Sequence, residues 1–238
     1  TPGWVFRPET KVPGVPCPGR SLQAAGYHSA YHGEKSYNGV AISAKTELRD
    51  IRPSLCDQVG DPQARVIAAT TQNVRVFSIY APNGQAVGSP AYGYKLPWYR
   101  LLQICRARDE SGYLVVFGDF NVTPDDLDVS DPNLCRGAIM ASDGERAAFR
   151  DLRSLGLRDT LRIHHKGGGL FSWWDYQMRG FEKDSGLRID AVLASESLAE
   201  KCIASGIDRE MRGGKDPSDR APVWAAFTIS QHRTSIAE

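Results

Sequence analysis

Short apolar runs divided by turn residues dominate the chain, and most have the period of strands. Gly39-Val40-Ala41-Ile42-Ser43 is small and apolar. Residues 64–70 and 74–80 alternate apolar with polar around Thr71-Gln72-Asn73, which predicts a hairpin. Leu114 to Phe117 reads as a buried strand ending at Gly118-Asp119, Ile189 to Ala194 as another, and Ala221 to Ile229 as a closing strand. Helical spacing appears from Leu96 to Arg108 (Leu101, Leu102, Cys105) and from Ala147 to Leu155, the latter closed by Gly156. Ser197 to Cys202 reads as a short helix. The first twenty residues hold Pro2, Pro8, Pro13, Pro16 and Pro18 and read as irregular. No internal repeat and no Ser/Gly linker interrupts the pattern. The reading is therefore one domain over 1–238, of layered α/β type, with two sheets and flanking helices.

Composition supports a globular chain. Of 238 residues, 41% are hydrophobic and 24% charged, which excludes wholesale disorder. The 23 glycines and 14 prolines predict many turns. No run of about 18 apolar residues exists, which excludes a membrane-spanning helix, and Thr1-Pro2-Gly3-Trp4 has the features of neither a signal nor a transit peptide. A net charge of +1 excludes coating nucleic acid by charge alone, but a nucleic-acid enzyme needs only a local basic rim. Five scattered cysteines without a CxxC argue against a zinc site or a disulfide framework, and a reducing cytoplasm is the simplest compartment.

The sharpest chemical feature is Gly118-Asp119-Phe120-Asn121. A carboxylate and an amide two residues apart at a strand end point the same way, toward one cleft, and suit a divalent metal or phosphate oxygens. The same tetrapeptide is also a turn sequence. Leu187-Arg188-Ile189-Asp190 sets an Asp beside an Arg at a strand start, a structural ion pair or a site acid. Pro217-Ser218-Asp219-Arg220 opens the last strand, as a turn or as a second charged pair. Tyr80-Ala81-Pro82-Asn83-Gly84 brings a phenol and an amide to a strand end. In Phe171-Ser172-Trp173-Trp174-Asp175-Tyr176 the two adjacent tryptophans cannot both face a core, so one is left for a groove, where it can stack on a base or fill an abasic gap. Several strand ends thus present Asp, Asn and Tyr, as a metal-dependent phosphoesterase cleft does.

These segments, with Glu9-Thr10-Lys11, Gly26-Tyr27-His28 and Tyr37-Asn38-Gly39-Val40-Ala41-Ile42, follow one another as in the exonuclease III family of abasic-site endonucleases, within the endonuclease/exonuclease/phosphatase superfamily. The chain resembles that family from about Glu9 to Phe227. The resemblance implies a four-layered α/β sandwich of two mixed sheets flanked by helices. It implies a DNA phosphodiesterase using Mg²⁺ or Mn²⁺, cutting double-stranded DNA 5′ of abasic sites or removing nucleotides from 3′ ends. Glu9 then matches a metal ligand, and Asp119 the aspartate that activates or orients the attacking water. Tyr80 and Asn121 match groups that hold the scissile phosphate, and Asn83 a phosphate-contacting amide. Trp173, Leu187 and Ile189 match an apolar pocket for the flipped-out abasic sugar. Asp190 matches a neighbouring acid, and Asp219 the aspartate that orients the last catalytic residue, with a share in the metal site. Lys11, Lys35, Lys95 and Arg179 are the expected contacts to DNA phosphates.

Two departures change the expectation. The family has histidine where this chain has Arg220, which stays protonated at physiological pH and cannot relay a proton, though it can stabilise a phosphate by charge. The family's opening strand, with its active-site Asn, precedes the Glu-Thr-Lys motif. Here only Trp4-Val5-Phe6-Arg7-Pro8 stands before it, read as the remnant of an N-terminally truncated fold. Reduced activity, binding of nucleic acid without efficient turnover, and self-association through an exposed sheet edge follow as expectations.

Overall fold

The computed structural model describes residues 4–8, 19–34, 38–54, 61, 63–107, 112–213 and 218–229. In chain order they form β1 (Trp4–Pro8), α1 (Gly19–Ala24), β2 (His28–Gly33), β3 (Gly39–Ala44), β4 (Arg49–Arg52), β5 (Val66–Thr71), β6 (Val74–Tyr80), α2 (Pro90–Ala107), β7 (Tyr113–Asp119), α3 (Pro132–Cys135), α4 (Asp143–Ser154), β8 (Leu157–Asp159), α5 (Thr160–His164), β9 (Trp173–Trp174), β10 (Gly186–Leu187), β11 (Asp190–Ser195), α6 (Glu196–Ala199), β12 (Cys202–Ile207) and β13 (Val223–Phe227).

Six strands make one mixed sheet in the order β4-β5-β6-β7-β11-β8. Its pairs are antiparallel except β6 with β7. A parallel pair needs a crossover, and α2 supplies it. The facing layer consists of β1-β3-β2 and β12-β13, antiparallel among the described residues.

The strand period decides which side chain meets which layer. Phe77, Ile79, Leu114, Val116 and Leu193 face α2 and α4, where Trp98, Tyr99, Leu102, Phe149 and Leu152 close over them. Val74, Val76, Val115, Phe117 and Val192 face the other way, onto Val40 and Ile42 of β3. At the β5–β6 hairpin Gln72 and Asn73 both take positive φ (49° and 61°), as a two-residue turn of this hand requires.

Several boundaries differ from the sequence reading. The proline-rich start contains a full strand: β1 pairs with β3 from Trp4 opposite Ala44 to Pro8 opposite Val40. Pro8 lies at the strand end, where its missing N–H costs least. Helix α2 begins six residues before the expected Leu96, with Pro90 at its first position, where proline is favoured, and the Ser89 hydroxyl accepting from Tyr92 N at 3.1 Å. Gly93 interrupts its apolar period before Leu96. Helix α4 likewise starts at Asp143 on a capping box between Ser142 and Glu145. Cys202, expected at a helix end, opens β12.

Candidate active site

β7 is buried from Leu114 to its end, and its last two residues create the site. Gly118 has φ +137°, and a Cβ there would lie 2.0 Å from the Ile79 carbonyl oxygen, so only glycine lets β6 and β7 approach this closely. The register then sets Tyr80 of β6 opposite Asp119 of β7, and Asp119 opposite Asp190 of β11. The three positions form one rung across three strands. By alternation with Val76, Phe117 and Val192, they share the face turned away from α2 and α4.

Asp119 is fully buried. Its Oδ1 accepts from Asn121 N at 2.8 Å, and its Oδ2 from Asn121 Nδ2 at 3.0 Å and Arg220 Nη2 at 2.6 Å. The Arg220 Nη1 meets both oxygens of Asp190, at 3.0 and 3.1 Å. Ser172 Oγ donates to Asp190 Oδ2 at 2.7 Å and accepts from the Ile189 and Asp190 amides. One guanidinium therefore bridges two buried carboxylates. Burial pushes the Asp119 carboxyl up to about 7, with the Asp190 charge adding to it and Arg220 opposing. Asp190 is raised by burial too, against the Arg220 charge. Burial pulls Arg220 down, but the two carboxylates more than offset this and keep it protonated.

Asn121 holds a left-handed backbone (φ 49°), which Asn tolerates better than most residues. Its Nδ2 also donates to the Ala81 carbonyl at 2.8 Å, and its Oδ1 accepts from Asn83 Nδ2 at 3.4 Å. Both amide hydrogens of Asn121 are thus engaged inside the protein. Asn83 is exposed and spends one of its two on Asn121.

The last loop arrives through backbone pairing of Trp173 with Arg220 and through Trp174 N to the Asp219 carbonyl at 3.0 Å. Trp174 is fully buried and Trp173 only partly, the division that two neighbouring tryptophans require. Trp173 Nε1 donates to Asp219 Oδ2 at 2.9 Å, and Ser218 Oγ to Asp219 Oδ1 at 3.4 Å. Asp219 was expected to orient residue 220. Its carboxylate is held by Trp173 and Ser218, while the side chain of Arg220 bonds to Asp119 and Asp190.

Other expected positions divide. Leu187 is half-buried and pairs with Trp173 in the β9–β10 ladder, while Ile189 is buried in this conformation. Arg188 does not pair with Asp190. It is buried against Asp128 (2.5 Å) and Asp159 (2.8 Å), with Arg162 also on Asp128. Arg179 is exposed on the loop after Trp174. Lys95 is fully buried, so the expected phosphate contact is replaced by internal bonds. Glu9, Lys11 and Lys35 lie outside the described residues.

Asp119 and Asp190 share the Arg220 cation and the Asp219 carboxylate acts on it from nearby, so the site holds an excess of hard oxygen donors, which suits a small divalent cation. Among the described residues no three His, Cys, Asp or Glu side chains form a metal site by themselves.

Arg220→Leu is expected to destabilise the protein by about 3 kcal/mol at pH 8, since it leaves two buried carboxylates unpaired. Both acids are raised in the folded state, so folding binds protons, and the loss shrinks as pH falls from 8 towards 5. Urea unfolding at the two pH values checks this; an equal loss at both would contradict it.

Comparison with known proteins gives the chain its family. The model of the endonuclease/exonuclease/phosphatase family matches residues 2–230, and the chain belongs to that family. Within it the chain is 35% identical over 236 residues to exodeoxyribonuclease III of Haemophilus influenzae, covering 92% of this chain and 87% of the relative. Among solved structures, a 3′-5′ exonuclease of Neisseria meningitidis superposes with a TM-score of 0.93 at 39% identity, over 96% of this chain and 90% of that one. An AP endonuclease of Archaeoglobus fulgidus superposes at 0.90 with 32% identity, over the same shares.

Proposed function

We propose that the chain is a DNA phosphodiesterase of exonuclease III type, dependent on a divalent metal, Mg²⁺ or Mn²⁺. Its substrates in this reading are duplexes with abasic sites or with 3′ ends to be removed. The observation that carries the reading is the Tyr80–Asp119–Asp190 rung, bridged by Arg220 and flanked by Trp173. Relatives support it: beside those above, a 3′ phosphatase from Neisseria is known bound to a product DNA hairpin, and it is 38% identical to this chain with a TM-score of 0.93.

In this mechanism the second amide hydrogen of Asn83 and the Tyr80 hydroxyl at the end of β6 donate to the phosphate. Asp119 orients the attacking water and takes up its proton, a task for which a carboxyl raised towards neutrality is suited. Arg220 stabilises charge on the phosphate and keeps its own proton. Trp173 and Leu187 offer an apolar wall to an abasic sugar, whose extrusion costs less for want of a stacked base. When bound, the metal neutralises charge on the phosphate oxygens; Asp219 and Glu9 are the residues assigned to hold it. No helix among the described residues is long and apolar enough to cross a membrane. A cytoplasmic setting, suggested by unpaired Cys135 and Cys202, and self-association through a sheet edge complete the proposal.

One observation favours the alternative of a DNA-binding relative without efficient turnover. Arg220 occupies Asp119 Oδ2 at 2.6 Å, where a histidine could exchange a proton. The test is incision of a labelled duplex carrying one abasic analogue, beside one ending in a 3′-phosphate, with Mg²⁺, Mn²⁺ or EDTA. Metal-dependent cleavage that EDTA reduces roughly 10³-fold or more is expected. Intact DNA binding without cleavage in either metal would favour the alternative.

A further inference from the structure

Lys95 of α2 is buried with no exposed surface, in a helix whose other core residues are apolar. An ammonium there is costly, and burial lowers its pKa against the opposing Glu145 charge. A lysine ammonium has three donors, and all three are placed. One goes to Glu145 Oε1. The second goes to the Asn83 carbonyl at 3.0 Å, and the third to the Asn121 carbonyl at 2.7 Å. Glu145 is itself fixed by the first turn of α4, with Oε1 accepting from Met140 N at 3.0 Å and Oε2 from Ser142 N and Oγ at 3.1 and 2.6 Å.

A pair serving stability alone needs only Lys95 and Glu145. The other two acceptors belong to the two asparagines whose side chains meet in the cleft, joined at 3.4 Å. Asn121 also holds a left-handed backbone, which persists only where surroundings impose it. We infer that Lys95 is a positioning residue: its ammonium holds the Asn83 and Asn121 carbonyls together, so that Asn121 Oδ1 fixes one Asn83 amide hydrogen and aims the other at the phosphate. The inference rests on the reading of Asn83 as a phosphate-site residue.

The test compares Glu145→Gln with the double variant Lys95→Met/Glu145→Gln. Whatever Glu145→Gln costs the capping box is common to both, and the double variant leaves no unpaired charge. Glu145→Gln leaves the buried Lys95 ammonium without its counter-charge, so it should melt no higher than the double variant. On the 3′-phosphate duplex with Mg²⁺, Glu145→Gln is expected to keep at least about a third of the parent kcat. The double variant should lose roughly 30-fold or more in kcat with KM changed by less than about threefold, as misplacement of groups that act in the transition state does. A folded double variant whose kcat equals that of Glu145→Gln would overturn the inference. A second readout needs no turnover: the side-chain amide ¹H–¹⁵N resonances of Asn83 and Asn121 should shift in the double variant and stay in place in Glu145→Gln. If the parent hydrolyses no DNA, the proposed function fails, and these resonances still decide the role of Lys95; unmoved resonances would overturn it.

Discussion

Asp119→Asn is expected to lower DNA hydrolysis roughly 10³-fold while the protein stays folded, within the range that a general base supplies. The change removes the one carboxylate that touches both the Asn121 amide group and Arg220. It sets an NH₂ against donors that now meet an oxygen, a conflict costing about 1–3 kcal/mol. It also removes a buried charge that the fold holds at a disadvantage, as the rise of this carboxyl to about 7 records. Arg220 keeps Asp190 as a partner. The two stability effects oppose each other, so melting should change by only a few degrees while turnover collapses. Incision rates beside a melting curve decide it; a variant retaining more than about a tenth of the parent rate would exclude Asp119 as the water-orienting group.

Gly118→Ala should have the largest effect on stability, about 3–5 kcal/mol, seen as a lowered urea midpoint or as failure to fold. The contact is with backbone, the Ile79 carbonyl oxygen 2.0 Å from the added Cβ, and no rotamer change relieves it. β6 and β7 must part, and Tyr80 and Asp119 part with them. Gly137→Ala is the control: φ there is also positive (73°), but nothing lies within 4 Å, so the loss should stay near 1 kcal/mol. Equal losses at the two sites would show that backbone conformation matters here and strand approach does not.

What could be read from the sequence was what is local. β3, the β5–β6 hairpin, β7 and β11 announce themselves by period, and Gly118-Asp119-Phe120-Asn121 by its place after an apolar run. β1 showed only as the strand remnant Trp4–Pro8, because prolines mark irregular chain unless one falls at a strand end, as Pro8 does. The start of α4 was legible in Ser142-Asp143-Gly144-Glu145, a capping box that a search begun from apolar spacing passes over. Long-range pairing left no local trace. Arg188 was read against its neighbour Asp190, yet its partners are Asp128 and Asp159, 60 and 29 residues away. Lys95 was expected at the DNA phosphates because lysine is usually exposed; its carboxylate partner lies 50 residues on. The rung of Tyr80, Asp119 and Asp190 depends on register, which no one segment encodes.

The bridge from Arg220 to Asp119 spans 101 residues of sequence. Closing so long a loop is the kind of contact a chain makes only when most of its fold already exists. The Tyr80–Asp119–Asp190 rung is therefore not a module that could be cut out and carried to another scaffold. A partly assembled chain would hold its buried acids without their cation, and the charge that makes the site chemically useful also makes it the mark of a finished molecule.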